Sequence, residues 1–236
     1  MNDIADEVER QDREVLLEHE AKALLRANGL PVPECEFVSE AADIEAASES
    51  IGFPVVMKVV SPDIQHKSDV GGVVLGVDSP SEAADAFARL MESVSEARPD
   101  ADIRGVLIEE MIDGEREVFV GVNDDRNFGL IVMAGLGGTT IELFEDVSIR
   151  LPPLDRKTCE SMLESLQSYP LLTGYRETDP TDVDALVDVM TGIAGEGGLI
   201  DEIGEDIAEM DLNPIIVRES GEGCVISDAL VELDRQ

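Results

Sequence analysis

Histidine is scarce in this chain, and one of its two copies, His66, stands in the run Ser61-Pro62-Asp63-Ile64-Gln65-His66-Lys67-Ser68-Asp69, just ahead of Gly71-Gly72. A loop imidazole beside a glycine pair has the chemistry of a mobile nucleophile that carries a phosphoryl group. Read alone, an ordinary exposed loop histidine is the simpler account. Lys58 lies inside the apolar run Val55-Val56-Met57-Lys58-Val59-Val60. A buried ammonium needs an anionic partner, and either a nucleotide phosphate or a protein carboxylate would serve.

A third constellation sits near the C-terminus. Asp211 and Asn213 are two residues apart and project from one face of a strand. If Ser220-Gly221 is a two-residue turn, Glu219 pairs with Glu222, and counting outward sets Asn213 opposite Asp228. Three oxygen ligands would then converge, as suits a hard cation such as magnesium beside phosphates. The competing reading is a strand end in a chain where acidic residues are everywhere. Gly135-Leu136-Gly137-Gly138-Thr139-Thr140 could cradle phosphate or simply form a tight turn. It has neither the lysine and spacing of a P-loop nor the glycine spacing of a dinucleotide fingerprint. The other histidine, His19, falls on a predicted helix and reads as structural.

The elements that must hold these residues follow from periodicity. Leu16, Leu17, Ala21, Leu24 and Leu25 predict an amphipathic helix from about 14 to 28, stopped by Gly29. Ser39 opens a second helix ending near Gly52, and Val55 to Val60 and Val73 to Leu75 read as strands. Ser79-Pro80-Ser81-Glu82 has the form of a capping box, so a third helix should run to Ala97 before Pro99. Apolar, β-branched runs at 105–111, 117–122, 128–134 and 141–144 read as strands. Helices are expected near 156–166 and 183–194, then strands at 210–217 and 224–228. Strands grouped with helices make the fold class α+β, with an acidic tail at 1–13 and two subdomains, 14–104 and 105–236.

Composition sets the surroundings. The 236 residues carry 53 Asp and Glu against 17 Lys and Arg, a formal net charge of −36. Such a surface repels itself unless salt screens it, which predicts a high-salt cytoplasm. It also argues against nucleic-acid binding, which needs clustered basic residues. No run of about 18 apolar residues suggests a membrane span, and the acidic N-terminus lacks the features of a signal peptide. Cys35, Cys159 and Cys224 are too far apart in sequence to form a metal-type pair and read as free thiols.

From Leu16 to Ala229 the sequence resembles the β subunit of ADP-forming acetate–CoA ligases. These are ATP-grasp relatives of the succinyl-CoA synthetase β subunit. The resemblance rests on Gly52-Phe53-Pro54-Val55-Val56-Met57-Lys58, on Ser61 through Val73, on Gly135-Leu136-Gly137-Gly138, on Tyr169-Pro170-Leu171-Leu172 and on Asp211-Leu212-Asn213-Pro214. It implies an ATP-grasp fold whose two subdomains clamp ATP or ADP, with Mg2+ as cofactor. Lys58 would contact phosphates, Glu109, Met111 and Ile112 would face the adenine from a hinge, and Glu117 would bind the ribose. Asn213 and Asp228 match magnesium ligands.

By the same resemblance, His66 matches the histidine that takes a phosphoryl group from a phosphohistidine on an α subunit and passes it to ADP. Asp211 matches an acidic residue beside the phosphohistidine. The partner implied is an α subunit carrying the CoA-binding unit, in an α2β2 assembly. The rival readings are a self-contained ATP-grasp ligase, which would not need His66, and a non-catalytic nucleotide sensor.

Overall fold

The computed structural model describes residues 13–64, 66–138, 146–176, 178–203 and 206–233. It divides into two compact units. The smaller comprises Leu16–Glu20 and Pro33–Met111, and the larger comprises Met1–Val15, Ala21–Val32 and Ile112–Gln236.

The smaller unit is built on an antiparallel sheet of four strands: β1 (Cys35–Val38), β2 (Val55–Val60), β3 (Val73–Val77) and β4 (Gly105–Glu110), in the order β1-β4-β2-β3. Helix α1 (Glu18–Ala27) begins in this unit, while α2 (Ile44–Ile51) and α3 (Pro80–Ala97) lie wholly within it. Helices α2 and α3 cover one face, where Ile44, Ala47, Ala83, Ala86 and Leu90 meet Val55, Met57, Val106 and Ile108. On the other face Leu17 packs with Val60 and Leu107, and His19 stacks on Phe37 with ring centroids 4.3 Å apart. Both faces of β2 are therefore covered, which is why it reads as a continuous apolar run rather than an alternating one. The cap of α3 forms as its sequence predicts, with the Ser79 hydroxyl accepting from the Glu82 amide, a contact worth about 1 kcal/mol.

The expected division at 104/105 would have assigned β4 to the second subdomain. Instead β4 pairs with β1 on one side and β2 on the other, at the centre of the smaller sheet, and the units part between Met111 and Ile112. The stretch Ala21–Val32 also belongs to the larger unit, because its contacts lie there. Lys22 Nζ donates to the Ser227 carbonyl at 2.8 Å, and the Ile226 amide donates to the Pro31 carbonyl at 2.8 Å.

The larger unit contains β5 (Arg116–Asp125), β6 (Gly129–Leu136), β7 (Val147–Arg150), α4 (Arg156–Glu164), α5 (Val183–Ala194), α6 (Leu199–Ile203), β8 (Ile207–Val217), β9 (Cys224–Ile226) and β10 (Ala229–Leu233). Its antiparallel sheet runs β10-β8-β5-β6-β7, with β9 paired to β8. Alternate residues Val118, Val120, Val122, Val132, Ala134, Met210 and Leu212 are buried on one face, and α4 packs on β6, β7 and α5. Each buried Val, Leu or Met side chain stabilises the unit by roughly 1.5–3 kcal/mol. The opposite register presents Glu117, Phe119 and Gly121 on β5 and Glu209, Asp211 and Asn213 on β8.

Several local expectations shift. Gly135 and Leu136 complete β6 rather than opening a loop, whereas Phe128 is an exposed turn residue. Strands β7 and β10 and helix α6 had no counterpart among the expected elements. The predicted strand at 141–144 lies outside the described residues. Among the described residues no helix is long and apolar enough to cross a membrane.

Candidate functional site

The C-terminal hairpin has the register counted from its turn. Val217 pairs with Cys224, Ile216 with Val225 and Ile215 with Ile226, and the Glu222 amide closes the turn on the Glu219 carbonyl at 2.9 Å. Gly221 takes φ +90°, which a side chain would resist. Counting on, the Asn213 amide donates to the Asp228 carbonyl at 3.2 Å, and β8 continues into β10 in the same register, with Leu212 opposite Ala229 and Asp211 opposite Leu230. Asn213 is exposed and Asp228 half-exposed, and Asp228 Oδ1 accepts from the Ala229 amide at 2.9 Å.

Both residues are hard oxygen donors at paired positions, the donor type that suits a magnesium ion. Asp211 stands two residues farther along β8, facing Gly121 across the ladder. Asn213 and Asp228 are cross-strand neighbours, and Asp211 shares the sheet face of Asn213. Among the described residues no three His, Cys, Asp or Glu side chains form a metal cage.

Glycines shape the open sheet face around these groups. Phe119, Gly121, Met133, Glu209, Asp211 and Asn213 line one hollow. The Phe119 ring lies over Gly135, where an added Cβ would come within 2.5 Å of the ring and 2.8 Å of the Asp146 carbonyl. A second hollow is lined by Ile112, Gly114, Glu117, Gly137, Leu171 and Ile216. Gly137 is required there: its amide donates to the Glu117 carbonyl at 2.6 Å, and a Cβ would sit 2.7 Å from that of Glu117. Ile112 and Glu117, the hinge and ribose residues expected by resemblance, thus share one hollow. Leu171 and Gly137 join them there, residues whose motifs carry no side-chain signal of their own.

The Tyr169-Pro170-Leu171-Leu172 motif is a one-turn 3-10 helix tied down at both ends. Asp146 accepts from the Gln167 and Ser168 amides at 2.9 and 2.8 Å and from the Ser168 hydroxyl at 2.5 Å. Partial burial would raise its carboxyl pKa, but these hydrogen bonds outweigh that and hold it below the usual value. At the other end Leu172 is fully buried and its carbonyl accepts from the Thr181 amide and hydroxyl.

In the smaller unit, Lys58 has the carboxylate partners that its sequence context left open. Its Nζ lies 2.8 Å from Glu18 Oε1 and 2.5 Å from Glu109 Oε1, and Glu18 Oε2 lies 2.9 Å from Lys67 Nζ. Glu109 is 1% exposed. Val56 opposite Glu109 and Lys58 opposite Leu107 put the two charged side chains on the same sheet face, at the strand end where the resemblance implies the adenine hinge. Met111, half-buried, donates its amide to the Pro54 carbonyl. His66 is exposed and immediately precedes the 3-10 turn Lys67–Val70. The cysteines read as expected. Burial pushes the Cys224 thiol up to about 12 and also raises that of Cys159, so neither is a reactive thiolate.

The chain matches the ATP-grasp domain family over residues 7–233. It is 41% identical over 230 residues to the β subunit of ADP-forming acetate–CoA ligase II from Pyrococcus furiosus, a match covering 98% of this chain and 96% of that one. The ADP-forming 4-hydroxybutyrate–CoA ligase of Nitrosopumilus maritimus is 36% identical over 98% of this chain, which spans only 32% of that longer protein. Among solved structures, the dinucleotide-forming acetyl-coenzyme A synthetase 1 of Ca. Korarchaeum cryptofilum, in complex with coenzyme A, Ca-AMPCP and HgCl+, superposes with a TM-score of 0.91 at 39% identity, covering 99% of both chains. The same enzyme is also solved with Mg-AMPPCP and a phosphohistidine segment pointing towards its nucleotide binding site. The chain belongs to the ATP-grasp family and, within it, to the β subunits of ADP-forming acetate–CoA ligases.

Proposed function

We propose that this chain binds ADP and Mg2+ for an ADP-forming acyl-CoA synthetase, and that His66 receives a phosphoryl group from a phosphohistidine on a partner α subunit. A ring nitrogen of His66 attacks the phosphorus and the partner's imidazole leaves. A terminal oxygen of ADP then attacks in turn, His66 leaves, and ATP forms. The observation that carries this reading is the exposed His66 in a chain that otherwise matches a β subunit end to end. A self-contained ligase or a nucleotide sensor would have no use for that residue.

The remaining roles follow the chemistry of each side chain. Asn213 and Asp228 would hold Mg2+, which when bound offsets negative charge on phosphoryl oxygens. Glu117 offers an exposed carboxylate to ribose hydroxyls, and the half-buried Asp211 would orient an imidazole through its second nitrogen. Met111 and Ile112 supply apolar surface for adenine. Lys58 would contact phosphate, as the resemblance implies, with an ammonium that already pairs with Glu18 and Glu109.

Acetate is the acyl substrate we propose, from the names of the Pyrococcus and Korarchaeum relatives. The α subunit, an α2β2 assembly and a salt-rich cytoplasm belong to the same reading. The charge of −36 supports the last of these. The test mixes the chain with its α partner, acetyl-CoA and labelled phosphate in about 2 M salt, which leaves little range to surface repulsion. Label on the wild type, absent from His66→Ala and chased into ATP by ADP, is the expected result. A wild-type chain that binds nucleotide but stays unlabelled beside a competent partner would hand the function to one of the two rivals.

A further inference from the structure

We infer that Lys67, held by Glu18, is a positioning residue that fixes where His66 presents its imidazole. The inference rests on the relay proposed above and adds the device that aims it. His66 lies between two anchor points. Upstream, Asp63 Oδ2 accepts from the Asp102 amide at 2.7 Å, and Ile64 is buried with Val59 and Val94. Downstream, Lys67 is held at both its ends. Its carbonyl accepts from the Gly72 amide at 2.8 Å, and its Nζ lies 2.9 Å from Glu18 Oε2.

The backbone half of this anchor explains the glycine pair. A Cβ on Gly72 would come within 2.9 Å of the Lys67 carbonyl oxygen and 2.6 Å of Val59 Cγ1, while Gly71 takes φ +66°. The side-chain half ties the loop to the sheet, because Glu18 also holds Lys58 and Lys58 holds Glu109. Two lysines and two glutamates balance in charge. Glu18 is 2% exposed and Lys67 only 12%, so the contact is shielded from the salt that would weaken a surface pair. An imidazole that must meet first one phosphorus and then another benefits from a fixed pivot one residue away. Misplacement by about 1 Å costs as much as a hundredfold in rate.

The test uses the enzyme assembled with its α partner and compares Lys67→Met, Lys67→Arg and Glu18→Gln with wild type. Initial rates of label transfer from acetyl-CoA and phosphate onto His66 are read by rapid quench. Hydrogen exchange is read over the peptide 61–72, and ADP affinity by titration. We expect Lys67→Met to slow labelling roughly ten- to a hundredfold and to speed exchange in that peptide alone. ADP affinity should stay within about twofold of wild type, and Lys67→Arg should recover most of the rate. Glu18→Gln keeps the side-chain shape and, because it also touches Lys58, is read only by exchange over 61–72 and by labelling rate at saturating ADP if Lys67→Met fails to fold. Labelling at the wild-type rate in Lys67→Met, or exchange in 61–72 unchanged in both variants, overturns the inference. Absence of label on wild type would instead remove the relay, while the exchange data still decide the anchor.

Discussion

The Asn213 amide donates to the carbonyl of Asp228, and this hydrogen bond sets two oxygen-bearing side chains side by side across the last hairpin. Removing either donor should weaken metal-dependent binding more than nucleotide binding itself. Asn213→Ala and Asp228→Asn are each expected to lower ADP affinity by about ten- to a hundredfold with Mg2+ present, and far less in EDTA. Calorimetric titration with and without the metal checks this. An equal loss in both conditions would move the metal elsewhere.

Lys58→Met leaves two buried carboxylates facing each other around a missing charge. It should cost about 3–5 kcal/mol, the usual penalty for breaking a buried ion pair from one side. Adding Glu109→Gln should recover part of that loss, because Glu18 keeps Lys67. Urea unfolding at fixed high salt measures both variants. A single mutant as stable as wild type would mean that the pair contributes nothing to the fold.

Gly135→Ala should destabilise by about 1–3 kcal/mol, as small-to-large changes in a packed site do. Its Cβ would meet both the Phe119 ring and the Asp146 carbonyl. Shortening the ring with Phe119→Leu should relieve only part of the cost, since the carbonyl belongs to the backbone. Thermal melts of the two single mutants and the double mutant separate these contributions.

Cys224 predicts an alkaline limit. Burial holds its thiol protonated to about pH 12 in the folded chain, against 9.0 for the unconstrained group. The unfolded state therefore loses that proton first as pH rises. The resulting stability is complete below pH 9 and is lost progressively from there to about 12. In native protein at pH 8, alkylation should strike half-buried Cys35 before Cys224, as peptide mapping of a short iodoacetamide pulse would show.

The formal charge of −36 makes salt a structural variable. Raising ionic strength from about 0.1 M to 1 M shortens the screening length from about 10 Å to 3 Å. The urea midpoint should climb steeply over that range in KCl, with the slope of the transition unchanged. A midpoint insensitive to salt would remove the argument for a salt-rich interior.

What the sequence disclosed depended on how far apart the partners lay. The register of β8 against β9 was legible because Ser220-Gly221 is a two-residue turn and every pairing follows from it by counting. The cap of α3 was legible for the same reason, since its groups are three residues apart. Lys58 announced that it needed an anion, but Glu18 lies 40 residues away, and no local pattern pointed to it. The pairing of Glu109 with Lys58 went unread because a hinge assignment carried over from relatives says nothing about which face of β4 a residue occupies. Strand β7 went unread because it is four residues long with two exposed, and α6 because five residues give too little periodicity.

The N-terminal stretch of the larger unit finds its partners near the other end of the chain. Val15 bridges Glu232, the Leu233 amide donates to the Glu14 carbonyl, and Lys22 reaches Ser227. During synthesis these residues emerge well before the hairpin they close upon. The smaller unit, whose residues all precede Ile112, can assemble long before that. A chain stalled before Ser227 can therefore hold a formed smaller unit while the pairings of Val15 with Glu232 and of Lys22 with Ser227 are still to be made.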